Sequence, residues 1–298
     1  MSAFDTKVTL GVTGLSRSGK TVFITSLVKN LLDGKRLPML NAMREGRIEA
    51  VYLQPQPKDT IPRFAYEANL ATLTSKSPAW PEGTKMISQL RLSFRVRNSG
   101  LIGLASGFRT IHLDIVDYPG EWILDLPLMQ QSFSEFSKLS LEKMKTERLN
   151  KAADAFLKLM PSADAKFDEV QAQALSDAFR DYLEACRKQG FVALAPGRFT
   201  MPGDLQGSPA LSFAPLSEDA TASEFGKEFE RRFAAYKSKV VKPFFRDHFA
   251  KIDRQIVLVD GLEALSAGPN ALADLRATMA DILSCFKPGR NTIFSCFI

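Results

Sequence analysis

An α/β fold is what this 298-residue sequence predicts, and three observations predict it. An apolar, β-branched run from Val8 to Thr13 closes on Gly14, and after a short loop Val22 to Leu32 carries apolar residues at helical spacing. Two further runs, Leu90 to Val96 and Thr110 to Val116, read as the strands of a hairpin. A last apolar strand, Gln255 to Val259, ends in Asp260 and precedes a helix from about Asn270 to Phe286.

The first loop carries the chemistry. Gly14-Leu15-Ser16-Arg17-Ser18-Gly19-Lys20-Thr21 satisfies G-x-x-x-x-G-K-[ST] between a strand and a helix N-terminus, the setting a phosphate-binding loop requires. Glycines let backbone N–H groups wrap phosphates, and the helix dipole favours the anion. Lys20 is expected to reach the β- and γ-phosphates and the Thr21 hydroxyl to ligate Mg²⁺. Gly14, Ser16, Arg17, Ser18, Gly19, Lys20 and Thr21 are therefore the expected nucleotide-binding residues, and Arg17 reads either as an internal arginine on a phosphate or as a solvent-facing side chain.

From about Leu37 to Ser88 the pattern is irregular and punctuated by six prolines, with only Ile48 to Leu53 looking like a short strand. The switch threonine that closes on Mg²⁺ must fall in this stretch, and Thr60 is the best candidate, with an ordinary loop threonine as the competing reading. Leu90, Leu92, Phe94 and Val96 then alternate with polar residues, the period of a strand with one buried face.

The second strand of the hairpin ends in Asp117-Tyr118-Pro119-Gly120, a D-x-x-G. An acidic residue at that strand tip can hold the Mg²⁺ hydration shell, and the Gly120 N–H can meet the γ-phosphate. Metal ligation is thus expected from Thr21 and Asp117. A hairpin between the loop helix and this motif is the Ras-like arrangement. Glu121 stands where Ras-like proteins often carry a water-orienting Gln, and it could orient water, act as base or do nothing. Lys20, Glu121 and Thr60 form the expected catalytic set.

From Leu128 to about Gln189 charged and apolar residues recur at helical spacing, broken at Pro161. A loop-like stretch to Leu216 follows, then a charged helix from Ser223 to about Asp253 interrupted near Pro243, whose Phe225, Phe229, Phe233 and Tyr236 form a core-facing stripe. The domain organisation read from this is a first part of the core at 1–127, a mainly helical insertion at 128–254 and a return to the core at 255–298.

These signatures, GLSRSGKT and D-Y-P-G-E-W, resemble those of the YcjX family of bacterial P-loop proteins, as do the stretches at 286–291 and 259–265. The resemblance implies a Ras-like G-domain core with a large helical insertion, GTP and GDP binding with slow hydrolysis, and an association with bacterial stress responses. An [NT]-K-x-D guanine-reading motif does not follow the Asp260 strand, and Lys251-Ile252-Asp253 reads as a helix end. GTP specificity therefore rests on the resemblance, with an ATPase of the same fold, or a nucleotide-gated module with little turnover, as alternatives. The sheet also looks short of its C-terminal strands.

Composition narrows the partners. The chain is 45% hydrophobic and 24% charged, an ordinary globular balance. Its net charge of +6 is spread along the chain, which argues against nucleic acid as a partner. The helical insertion is the expected face for a protein partner or a membrane surface. Cys186, Cys285 and Cys296 are too few and scattered for a disulfide framework or a zinc site. No apolar run approaches the roughly 20 residues of a membrane span, and Met1 to Lys7 does not begin a signal peptide. A cytoplasmic protein is expected.

Overall fold

The computed structural model describes residues 6–15, 18–34, 41–56, 58–98, 107–146, 151–189, 191 and 194–284. Ser16, Arg17, Cys285, Cys296 and the 286–291 stretch lie outside the described residues. The chain divides into two compact units, one of residues 1–120 and 246–260, the other of residues 121–245 and 261–298.

The first unit is a five-stranded sheet. Strand β1 (Thr6–Gly14) leads into helix α1 (Lys20–Asp33), followed by β2 (Ile48–Gln54), helix α2 (Tyr66–Thr74), β3 (Ser88–Arg97), β4 (Phe108–Asp117) and β5 (Arg254–Leu258). Strand order is β2-β3-β4-β1-β5. β3 runs antiparallel to both β2 and β4, while β1 is parallel to β4 and β5. Parallel pairing of β1 with β4 brings the loop after Gly14 and the turn after Asp117 to the same sheet end, and Val12 opposes Asp117. A hairpin inserted between α1 and the D-x-x-G strand gives the sheet its Ras-like order.

Alternation decides which side is covered. Leu90 and Leu92 of β3, Val12 of β1 and Ile115 of β4 point to one face and pack with Ile24, Val28 and Leu31, spaced four and three apart on α1. At about 25 cal/mol per Å² of apolar surface, this cluster is the main term that holds α1 against the strands. Helix α2 was not expected in the proline-rich stretch, yet its Tyr66 and Leu70 join the same cluster. Its nine residues are too few to stand out between Pro62 and Pro78, and tertiary packing supplies what the local pattern lacks.

The second unit is helical, with α3 (Phe133–Thr146), α4 (Lys151–Lys158), α5 (Glu169–Lys188), α6 (Glu224–Tyr236) and α7 (Pro269–Ser284) as its longer elements. Asp168 caps α5 by accepting from the Gln171 N–H at 2.7 Å, and Ser223 caps α6 by accepting from the Gly226 N–H at 3.1 Å. Phe225, Phe229, Phe233 and Tyr236 are fully buried, as their spacing on α6 predicts. Around them Phe136, Phe179, Phe199 and Phe213 form a chain of ring contacts with centroids 4.9 to 6.4 Å apart. The helix does not run unbroken to Asp253: a π-turn at Lys237–Val241 absorbs the approach to Pro243. Among the described residues no helix is long and apolar enough to cross a membrane.

Candidate phosphate-binding site

Among the described residues after β1, Ser18 and Gly19 lead directly into α1. Gly19 has φ +77°, a left-handed backbone that glycine adopts without penalty, and α1 starts at the next residue. Its N-cap makes no side-chain hydrogen bond and no acidic residue sits in the first turn, so the first N–H groups and the helix dipole are left for an anion. The buried Ser18 Oγ has no hydrogen-bond partner among the described residues. A Cβ on Gly14 would meet that oxygen at 2.1 Å and Leu258 at 3.0 Å, so only glycine lets the loop close over the strand ends.

Two loop residues meet the second motif. Lys20, buried at the helix start, places Nζ 2.8 Å from Asp117 Oδ1 and donates to the Tyr118 carbonyl at 2.7 Å. The other Asp117 oxygen accepts from Thr84 Oγ1 at 2.8 Å. A Cβ on Gly120 would lie 2.4 Å from the Gly14 carbonyl oxygen and 2.9 Å from the Leu15 nitrogen, so the D-x-x-G turn rests directly on the loop backbone. Gly14, Ser18, Lys20, Asp117 and Gly120 are thus brought together, with Thr21 in the first turn of α1 behind them. Tyr118 is fully buried beside Thr13 and Gln255, and burial pushes its phenol upward.

Thr60 is not in this cluster. It is exposed in a turn, and the threonine bonded to Asp117 is Thr84. Register explains why: Ser88 pairs with Asp117, so the residues just ahead of β3 run beside the end of β4. That signal lies in the alternation of the hairpin strands, which fixes their pairing once the turn is known. Lys251-Ile252-Asp253 is a helix end followed by a strand, where the Asp253 carboxylate accepts from the Thr9 N–H at 2.7 Å. His112 bonds Ser93 Oγ through Nδ1 at 2.7 Å and has a structural role within the sheet.

Glu121 opens the helical unit. It is buried, and Oε1 lies 3.9 Å from Arg187 Nη1. Asp125, four residues on, has no counterpart in any sequence pattern. It accepts from the Gly197 N–H at 2.7 Å and from the Tyr236 hydroxyl at 2.6 Å. Burial raises its carboxyl from 3.8 to about 6 despite those donors. The folded protein therefore favours the neutral acid, and this contribution is fully present below the unfolded value and lost as pH rises through the folded one. We expect the unfolding free energy of Asp125→Asn, relative to the parent, to rise by roughly 2–4 kcal/mol between about pH 3 and pH 7, read from urea midpoints. A flat difference across that range would contradict the assignment.

The strand order, the glycine cradle and the Lys20–Asp117 pair define a P-loop α/β protein with a Ras-like G-domain core. Residues 8–298 match the model of the YcjX-like family, DUF463, and the chain belongs to that family. It is 40% identical over 307 residues to the "Ras-like GTPase YcjX" of Escherichia coli (strain K12), an alignment covering 97% of this chain and 66% of that protein. A second "Ras-like GTPase YcjX", from Shewanella oneidensis, is 37% identical over 314 residues, covering 97% and 64% respectively. The chain thus spans about two thirds of the length of the curated relatives it matches.

Proposed function

We propose that this chain is a Mg²⁺-dependent P-loop GTPase that binds and slowly hydrolyses GTP in the cytoplasm, with nucleotide state coupled to rearrangement of its switch segments. The observation that carries this reading is the joint made by Lys20, Asp117 and Thr84, with Gly120 against Gly14, beside an uncapped helix N-terminus. Guanine as the base follows from the names of the two relatives.

The donor chemistry fits magnesium. Thr21 and Thr84 offer hydroxyls and Asp117 a carboxylate, all hard oxygen donors, and among the described residues there is no group of three or more acidic, His or Cys side chains that could hold a metal. Such a site leans on phosphate oxygens for the remaining ligands. When bound, the cation neutralises charge on the β- and γ-phosphates. Lys20 exchanges its contacts with Asp117 and Tyr118 for phosphate oxygens, and Gly120 offers its N–H where the γ-phosphate ends. We assign the switch threonine to Thr84 in place of Thr60. Glu121, with Oε1 3.9 Å from Arg187 Nη1, is the carboxylate that directly follows the turn.

One titration tests both the base and the threonine. Fluorescent GTP binding to the full-length chain should be competed by GTP at least about tenfold better than by ATP. Thr84→Ala should lose Mg²⁺-dependent triphosphate affinity while Thr60→Ala does not. Equal competition by ATP would remove the guanine assignment, and the reverse ranking of the two threonines would restore Thr60.

A further inference from the structure

Gly120 is followed, with no intervening linker, by a stretch that is not a surface loop. Glu121 to Asp125 form the rest of a 3-10 helix that starts at Gly120, and all five are buried. Within the helical unit they are tied to a second short stretch, Gly197 to Met201, at four points. The Gly197 N–H donates to Asp125 Oδ1 at 2.7 Å, and the Trp122 Nε1–H donates to the Met201 carbonyl at 2.9 Å. A Cβ on Gly197 would fall 1.8 Å from the Glu121 carbonyl oxygen, so the two backbones touch. The Arg198 guanidinium sits 3.2 Å from the centroid of the Trp122 ring. Asp125 is also held from α6 by the Tyr236 hydroxyl.

Arg198 is the unusual member. Desolvation lowers its pKa, so the fold spends favourable hydration to keep a cation here. Its ion-pair partner Asp204 is 3.5 Å away and mostly solvent-exposed; inside the unit Nη1 donates to the Pro202 carbonyl at 3.4 Å, the buried Asp125 favours its charge, and the guanidinium lies over the face of the Trp122 indole. A purely packed core would fill this place with an apolar side chain of similar length.

We infer that Arg198 is a positioning residue: through its stack on Trp122 it fixes the segment directly downstream of Gly120, so that the nucleotide state sensed at Gly120 is passed into the helical unit. The inference rests on the GTPase reading above. Gly120 cannot shift without moving the residues bonded to it, and those residues form one joint with Gly197 to Met201. The helical unit is then expected to respond, along with the switch segments, when triphosphate replaces diphosphate.

The 298 residues hold two tryptophans, and Trp80 is exposed, so Trp80→Phe leaves Trp122 as the sole indole of this 298-residue chain, the protein used for the test. In that parent, exchanging GDP for a non-hydrolysable GTP analogue should shift the emission of Trp122. R198M, which keeps bulk and removes charge, should reduce the shift at least about fivefold and lower kcat about tenfold with KM within twofold, and R198K should restore part of both. Hydrogen exchange on the unmutated chain gives a second reading, in which amides of 197–201 should differ at least about threefold between the two nucleotide states. A folded R198M with the parent's full shift and kcat would overturn the inference. So would identical exchange at 197–201 in the two states, or a parent that binds fluorescent GTP with no change at Trp122. A parent that binds no nucleotide would overturn the GTPase reading and this inference together.

Discussion

Gly120→Ala is expected to lower affinity for a GTP analogue on the order of 100-fold while GDP affinity changes by less than about tenfold, because in the proposed function only the triphosphate reaches the turn. The methyl group would enter a space 2.4 Å from the Gly14 carbonyl oxygen, 2.5 Å from its carbon and 2.9 Å from the Leu15 nitrogen. All three are backbone atoms of the phosphate loop, so no side chain can move aside. The turn must lift away from the loop, taking the Gly120 N–H from where a γ-phosphate would end. Strain of this kind typically costs about 1–3 kcal/mol, which predicts a fall of several degrees in the melting temperature but a folded protein. Equilibrium titration of both nucleotides, with a thermal melt on the same sample, reads both effects. Unchanged analogue affinity would mean that the contact between the two glycines has no part in binding.

Lys20→Ala is the other substitution with a large expected effect, and it acts in two ways. The lysine is the cation that faces Asp117 in the buried interior of the site, with Nζ at 2.8 Å. Removing one partner of such a buried pair leaves an uncompensated charge, a loss typically of about 3–5 kcal/mol. In the proposed function the same change removes the group that would reach the phosphates, and a loss of turnover on the order of 10²–10³ is expected. Adding Asp117→Asn separates the effects, since the double variant should regain stability and remain inactive.

The phosphate loop and the strands that carry it were legible because each rests on a short-range signal. Val8 to Thr13 is apolar enough to be a buried strand, and Gly14 to Thr21 has a spacing that physics ties to a helix N-terminus. The hairpin could be read from the alternation in Leu90 to Val96. Thr84 could not, since Glu82-Gly83-Thr84-Lys85 has no pattern and becomes meaningful only when Ser88 is seen to pair with Asp117. Thr60 stands beside an acid and a proline, a local cue, whereas the contact of Thr84 with Asp117 comes from the register of the hairpin. The joint between Glu121–Asp125 and Gly197–Met201 is invisible for the same reason at longer range: residues about 75 apart meet through a buried carboxylate, an indole N–H, a backbone contact and one aromatic face, none of which leaves a mark in composition. The Phe225, Phe229, Phe233 and Tyr236 stripe lies at the other extreme, because a helix with aromatic residues three or four apart has one face to bury.

The most direct test of the central claim is phosphate release from GTP by the full-length protein in Mg²⁺, wild type against Lys20→Ala, with circular dichroism to establish that both are folded. The account predicts slow but measurable release by wild type, lost with chelation of Mg²⁺, and release by Lys20→Ala at least about 100-fold lower. Equal release by the two folded proteins would contradict it.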